Sequence, residues 1–402
     1  MKRPANITLL CGAAAVILSC IIMLNLLKKE TLMEILTGTY GEQIYRYSFD
    51  TESLEFSLIE KIKAENASYA IKDGNKILTV SETGDASGAY SFSIGSPTVM
   101  TADKRQTGAD PCFIIKYDDK ILTADYSGGS VTVFPLAEGI LGDSVQRLEF
   151  QGEGPIEGRQ ESSHIHQLKT IPQTDWILAS DLGADKIRLL RFENNSLPHK
   201  ADIECPAGSG PRHMEFSKDN KILYCICELS GNVLAYSINI NDIPEFTLIQ
   251  EIQADEVNAG GSADVHLHPS GQYLYTSHRL DNDGISIFKT LADGTLEKIG
   301  YARTGRHPRN FMITPDGKLL LVACMNDHLV QVFAIEDDGT LTLTPSVLRF
   351  ENDRPSSLPI CHYCSFHTLS GTHNVFFTSP ITKILCSEPM QTRSPRVPRT
   401  NS

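Results

Sequence analysis

The sequence predicts an all-β fold, a seven-bladed β-propeller whose amino- and carboxy-terminal strands share the closing blade. Two observations support this prediction. A unit of short strands, separated by turns that contain Gly, Asp and Asn, occurs six times between residues 67 and 335. Its period of roughly 40–50 residues is typical of propeller blades. In addition, a half-unit is left over at each end of the array, and the two halves together would supply a seventh blade.

The clearest copy of the unit spans residues 305–335. It predicts strands over 310–313, 318–323 and 329–335. The turn at 315–317 is Pro-Asp-Gly, in which Pro presets φ and Gly accepts the left-handed conformation. Aligning the six copies places one residue of each at the same point near the first strand. These residues are Tyr69, Cys112, His166, Arg212, Asp264 and Arg309.

The segments 33–49 and 54–62 predict strands without an inner partner, and a strand that begins at 353–356 would supply it. Such closure removes sheet edges that would otherwise favour aggregation. Residues 356–360 predict only a weak strand, because Pro359 cannot donate to a β-ladder. We therefore assign residues 33–360 to the propeller and residues 1–32 to a hydrophobic amino-terminal anchor or signal segment. Residues 361–402 are rich in Ser, Pro, Thr and Arg and predict a disordered tail.

Residues 7–27 form an uncharged run of 21 residues between basic flanks, which is long enough to span a bilayer. Three interpretations stay open. The run is a signal anchor with the propeller outside, or a lipoprotein signal that ends at Cys20, or translation starts at Met33. The protein is therefore expected to be membrane-anchored or exported in the first two cases and cytoplasmic in the third.

Charge and cysteine content exclude some classes of partner. The net charge of −13 and the lack of a Lys/Arg-rich run argue against a nucleic acid. The cysteines lack the spacing of a secreted disulfide scaffold and predict small buried hydrophobes. Cys361, Cys364 and His367 resemble part of a zinc site without its second pair. We expect no metal, no cofactor and a monomer.

A polar pocket is predicted at one mouth of the central channel. The first strand of each blade lines the channel, and the end of the second strand returns to the same mouth. The second-strand ends are Glu82, Asp125, Asp181, Glu228, Arg279 and Asn326. Acidic residues at strand ends often hold turns, as we expect of Asp125 and Asp181. Arg212, Arg279 and Arg309 at converging positions suit a phosphate or carboxylate.

Several motifs resemble, in order and spacing over about residues 33–355, those of the seven-bladed propeller lactonases. This family contains bacterial propeller-type 6-phosphogluconolactonases and fungal carboxy-muconate cyclases. Asp125 stands where the family usually has Asn. The motifs are Gly38-Thr39-Tyr40, Asp125-Tyr126-Ser127, Arg159-Gln160, His164-Ile165-His166, Asp181-Leu182-Gly183, Gly210-Pro211-Arg212-His213, Glu228-Leu229, Ser277-His278-Arg279 and His307-Pro308-Arg309-Asn310.

The resemblance implies a lactonase, a carboxylic ester hydrolase that opens a sugar-acid lactone, with 6-phosphogluconolactone as the expected substrate. The family's proposed catalytic set corresponds to His166, Arg212, Glu228 and Arg279. Glu228 or His166 would transfer protons, and the two arginines would hold the oxyanion or the anionic group of the substrate. Two alternatives stay open, a carboxy-muconate-type cyclase and a non-catalytic binding module. The substrate-binding candidates are Arg309, His164, Arg159 and His213.

Overall fold

The structure, a computed structural model, describes residues 31–351 and 353–358. The predicted anchor or signal at 7–27 and the predicted tail at 361–402 lie outside the described residues. Within 31–351 and 353–358, no helix is both long and apolar enough to cross a membrane. The described chain forms seven antiparallel sheets arranged as the predicted seven-bladed propeller.

The strands follow one another in groups of four, because each blade is a meander. The first three strands of the described residues belong to the closing blade and are β1 (Leu32–Tyr40), β2 (Gln43–Asp50) and β3 (Phe56–Lys63). Blade 1 contains β4 (Ala70–Asp73), β5 (Lys76–Ser81), β6 (Gly88–Ser93) and β7 (Val99–Gln106). Blade 2 contains β8 (Pro111–Tyr117), β9 (Lys120–Asp125), β10 (Ser130–Ala137) and a split outer strand, β11 (Ile140–Leu141) and β12 (Gln146–Glu149). Blade 3 contains β13 (Ile165–Thr170), β14 (Trp176–Asp181), β15 (Lys186–Arg191) and β16 (His199–Glu204).

The remaining blades repeat the pattern. Blade 4 contains β17 (Pro211–Phe216), β18 (Ile222–Cys227), β19 (Asn232–Asn239) and β20 (Glu245–Gln253). Blade 5 contains β21 (Ser262–Leu267), β22 (Tyr273–His278), β23 (Gly284–Thr290) and β24 (Leu296–Arg303). Blade 6 contains β25 (Pro308–Ile313), β26 (Leu319–Cys324), β27 (Leu329–Ile335) and β28 (Leu341–Arg349). Short 3₁₀ turns follow three of the second strands, at Gly84–Ala86, Leu182–Ala184 and Met325–Asp327.

The core lies between adjacent blades, and this explains the strand sequences. Every residue of β18 and β26 is buried, because both faces of a blade pack against its neighbours. The outermost strands, such as β20 and β28, alternate between exposed and half-buried residues. Three strands per unit were predicted from the sequence, and this fourth strand was not. An outer strand has few buried apolar residues, so it lacks the apolar run by which the others were recognised.

The closing strand β29 (Arg354–Ser357) is the inner strand of the seventh sheet, whose order is β29-β1-β2-β3. This confirms that the two terminal strands share a blade. Although β29 is short, hydrogen bonds that involve side chains also hold this segment in place. Ser356 Oγ donates to Ser68 O over 2.7 Å, and Leu358 N donates to Asn310 Oδ1 over 2.7 Å. A Cβ at Gly38 would lie 2.6 Å from Ala67 O, so β1 needs glycine at this closure.

Candidate active site

Most of the aligned first-strand positions are β-bulges. The register of the first strand with the second shifts in blades 2, 3, 4 and 6, and in each case one residue is left unpaired. Bulges re-aim side chains and are common beside active sites. Here they direct one residue per blade toward the channel. The unpaired residues are Cys112, His166, Arg212 and Arg309.

A cavity of about 290 Å³ opens at the mouth. It is large enough for a single sugar-sized ring, close to the lower end of small-molecule sites. A narrower extension shares several of the cavity's lining residues, and there Arg212 and His213 join the wall. The main cavity is lined by Glu82, Asp110, Cys112, Tyr126, Ser127, His166, Glu228, Arg279 and Arg309.

Glu228 is held by three guanidinium groups. Arg159 Nη2 lies 2.7 Å from Glu228 Oε1, and Arg212 Nε and Arg279 Nη2 lie 2.7 and 3.0 Å from Oε2. Burial alone would raise the pKa of Glu228, but these arginines outweigh it and hold the pKa well below its ordinary value. Glu228 is therefore an anion at neutral pH and a weak base, suited to positioning the arginines.

Arg279 and Arg309 present cations to the cavity from fixed positions. Arg279 Nε donates to Gly261 O over 2.8 Å. Burial, together with the positive charges of Arg212 and Arg309, lowers the pKa of Arg279 to about 10, so it stays protonated at neutral pH. Arg309 Nη2 donates to Tyr40 Oη over 2.7 Å. Both arginines can therefore donate to a bound anion without first being ordered.

His166 lies on the cavity wall in electropositive surroundings. It is 5% exposed, and its Nδ1 is buried without a hydrogen-bond partner among the described residues. Its ring packs edge-to-face on Tyr126 and His213. Burial, and after it the charges of Arg212 and other neighbouring cations, moves the pKa of His166 well below its ordinary value. The imidazole is therefore neutral at physiological pH.

The other predicted substrate-binding residues are more peripheral. His213 Nδ1 lies 2.7 Å from Asp264 Oδ1 in the narrow extension, and burial lowers the pKa of His213 to about 4. His164 stacks on Tyr126 with its Nδ1 2.9 Å from the Tyr126 carbonyl oxygen, and it is not part of the cavity wall. Arg159 is 36% exposed and reaches the site through Glu228.

The predicted ring of second-strand ends is incomplete. Asp125 is fully buried and accepts hydrogen bonds from Thr123, Ser130 and Thr132, so it holds its turn as expected. Asp181 likewise forms a buried ion pair with Arg188. Asn326 is exposed. None of the three lines the cavity. Glu82, Glu228 and Arg279 directly follow their second strands, whereas Asp125 and Asp181 are the last residues of theirs and Asn326 lies two residues beyond its strand. Successive residues of a strand point to opposite faces, so a shift of one position turns the side chain away from the cavity.

Sequence reasoning missed three cavity residues, whereas Cys112, one of the aligned first-strand positions, does line the cavity. Tyr126 and Ser127 directly follow a second-strand end, and Asp110 directly precedes a first strand, so extending each converging position by one or two residues would have found them. In residues 31–351 and 353–358, no group of three or more His, Cys, Asp or Glu could hold a metal ion. Cys361, Cys364 and His367 lie outside these ranges.

Comparisons with known proteins agree with this geometry. The family model for the seven-bladed β-propeller lactonases matches residues 34–356. The 6-phosphogluconolactonases of Formosa agariphila and Bacillus subtilis are each 31% identical to this chain. The matches cover 77% of this chain in both cases, and 93% and 94% of the relatives.

Two solved structures are also similar. A candidate 6-phosphogluconolactonase of Bacteroides fragilis is 36% identical with a TM-score of 0.77, over 82% of this chain and 97% of its own. The periplasmic gluconolactonase of Pseudomonas aeruginosa is 27% identical with a TM-score of 0.75, over 83% and 100%. Given the family match across nearly all of the propeller, the chain belongs to the seven-bladed β-propeller lactonase family.

Proposed function

We propose that this protein is a lactonase, a carboxylic ester hydrolase that opens 6-phosphogluconolactone to 6-phosphogluconate. The observation that carries the proposal is the cationic wall of the cavity. Arg279 and Arg309 line the cavity, Arg212 lies in its narrow extension, and Arg159, Arg212 and Arg279 are all paired with Glu228. Their charge attracts an anionic sugar lactone and stabilises the oxyanion of its hydrolysis. The names of the relatives support the same substrate.

Lactone hydrolysis needs donors for the carbonyl oxygen, because negative charge develops there in the transition state. Arg279 is the best placed donor, since Gly261 O and Glu228 hold its guanidinium from two sides. Arg309, oriented by Tyr40, would bind the anionic group of the substrate. Arg212 is 1% exposed and lies in the narrow extension, so its contribution is to hold Glu228 and to add positive charge.

Proton transfer was predicted for His166 and Glu228. Both groups lie among cations that lower their pKa values, so each is a weaker base than an ordinary histidine or glutamate. Glu228 therefore fits best as the anchor of the arginines. His166 fits as a neutral imidazole that orients the lactone or the attacking water by a hydrogen bond.

An unphosphorylated sugar lactone is a second candidate substrate. The acidic residues Glu82 and Asp110 also line the cavity, and they would oppose a dianionic phosphate but not a neutral ring. The periplasmic gluconolactonase among the structural neighbours is named for such a substrate. A carboxy-muconate-type cyclase would use the same arginines on carboxylates. The binding-module alternative requires no reaction at all.

The deciding experiment is a rate measurement on the folded chain. Formation of 6-phosphogluconate, followed with 6-phosphogluconate dehydrogenase, should exceed spontaneous hydrolysis and should be unaffected by EDTA. Proton release from gluconolactone, measured in parallel, tests the second candidate. Acceleration of the unphosphorylated lactone alone would replace the proposed substrate. Acceleration of neither would refute hydrolysis of a sugar-acid lactone, and a carboxy-muconate lactone would then be tested.

The cellular compartment is part of the same question. We propose that the protein is cytoplasmic if translation starts at Met33 and membrane-anchored or exported if residues 7–27 are translated. Phosphogluconolactone is a cytosolic metabolite, so an external protein would favour the unphosphorylated lactone. Fractionation combined with amino-terminal sequencing of the purified protein distinguishes these cases, and sedimentation of the same sample tests whether it is a monomer.

A further inference from the structure

Glu82 and Glu228 occupy corresponding positions, directly after the second strands of blades 1 and 4. Both line the main cavity. Their partners differ, because Glu228 is paired with three arginines, whereas Glu82 forms no ion pair within the described part of the chain. Ser68 Oγ donates to Glu82 Oε1 over 2.7 Å. The Tyr40 hydroxyl also hydrogen-bonds to Glu82, and it accepts a bond from Arg309.

The environment of Glu82 favours proton uptake. Burial is the largest influence and raises the pKa of Glu82 above its ordinary value. Arg309 and the hydrogen bonds from Tyr40 and Ser68 oppose this, while the nearby charge of Asp110 adds to it. Glu228, in the same cavity, has the opposite shift. Two carboxyl groups whose surroundings separate their pKa values commonly divide the tasks of an active site between them.

We propose that Glu82 is a catalytic residue of the lactonase, the general base that takes a proton from the attacking water and returns it to the ring oxygen. The geometry supports this, because Glu82 lines both the main cavity and its narrow extension, as do His166 and Arg309. A carboxylate there faces the same space as the donors for the carbonyl oxygen. The proposal rests on the proposed function and adds a residue to it.

The reaction balances with water as the only co-reactant. The water oxygen bonds to the lactone carbonyl carbon as its proton passes to the Glu82 carboxylate, and the carbonyl oxygen becomes an oxyanion beside Arg279. The oxyanion then re-forms the carbonyl, and the bond from that carbon to the ring oxygen breaks. The ring oxygen takes the proton from Glu82. The product is the open-chain hydroxy acid, and Glu82 is again a carboxylate.

The pH dependence has a defined sign. A general base must be ionised, so the rate falls as the pH drops through the pKa of Glu82. Because burial raises that pKa, the loss begins at a higher pH than it would for an ordinary glutamate. If His166 or Glu228 were the base instead, the rate would fall only at a lower pH, because the pKa of each is lowered.

Glu82→Gln tests the proposal with the full-length chain and the lactone that the wild type hydrolyses. It keeps the shape and the Ser68 contact, so kcat should fall roughly 10²–10⁴-fold with a small change in KM, and the acid limb of the pH profile should disappear. Glu65→Gln, an exposed carboxyl in the loop before the same blade, is the matched control and should keep wild-type kinetics. A folded Glu82→Gln variant with full kcat, or with the acid limb unchanged, would overturn the proposal.

Ser68→Ala provides a second test if Glu82→Gln fails to fold. It removes a donor to the ionised carboxylate, so the pKa of Glu82 should rise and the acid limb should move to higher pH. An unmoved limb would contradict the role of Glu82. A wild-type chain that hydrolyses no lactone would instead refute the proposed function, so the two failures are distinguishable.

Discussion

Arg212 Nε donates a hydrogen bond to Glu228 Oε2 over 2.7 Å, and this buried ion pair joins the first strand of blade 4 to the end of its second strand. Arg159 and Arg279 bind the same carboxylate. One negative charge therefore fixes three cations at the mouth. Both the stability of the mouth and the position of the anion site depend on it.

Glu228→Gln is expected to destabilise the fold by about 3–5 kcal/mol, the usual effect of breaking a buried ion pair by removing one partner. The pKa of Glu228 is lowered in the folded state, so its contribution is complete above the unfolded value of about 4.3 and is lost as the pH falls through the folded value. Urea unfolding at pH 7 and at lower pH checks this. The exposed Glu297→Gln is the control, and equal stability of both variants at pH 7 would contradict it.

Arg279→Ala is expected to lower kcat about 10²–10³-fold, as for the loss of one oxyanion donor. KM should change little. Arg303→Ala, an exposed arginine of the same blade, should match the wild type. If KM rises while kcat is kept, Arg279 binds the remote anionic group and another donor serves the oxyanion.

Asp264→Ala is expected to destabilise the channel by about 3–5 kcal/mol. His213 and His266 both contact this carboxylate, at 2.7 and 3.0 Å, and Asn310 donates to it. Removing it leaves buried polar groups without a partner. Thermal unfolding measures the effect. An unchanged midpoint would mean that water replaces the carboxylate.

A chain that ends at residue 350 is expected to lose the closed ring. It lacks β29, the Ser356 and Leu358 bonds, and Asp353, whose Oδ2 accepts from Tyr45 Oη over 2.6 Å. The inner edge of β1 would be exposed and prone to pairing with other chains. Light scattering and thermal unfolding, compared with a chain ending at Cys364, check this. The longer chain should behave as the full protein does, and equal behaviour of the two truncated chains would contradict the prediction.

The sequence by itself determined the propeller, the number of blades and the closure by the two termini. Turn residues such as Pro315 and Gly317 determine the backbone conformation at their own positions, and apolar runs mark the strands that are buried on both faces. Turns and inner strands can therefore be recognised from the sequence alone. The outer strands were missed because their burial is partial. The same local regularity aligned His166, Arg212 and Arg309, which the structure shows to be bulges directed at the channel.

Only the tertiary structure decided how the polar residues at the mouth differ from one another. Asp125, Glu82 and Glu228 all lie at the ends of second strands, Asp125 as the last residue of its strand and the two glutamates directly after theirs. The Asp125 carboxylate accepts hydrogen bonds within its own turn. Glu82 faces the cavity without an ion pair among the described residues, and Glu228 is held by three arginines. Proton affinity depends on desolvation and on charges from other blades. Desolvation and these charges depend on distances between residues that are far apart in the chain, and a local sequence pattern does not contain those distances.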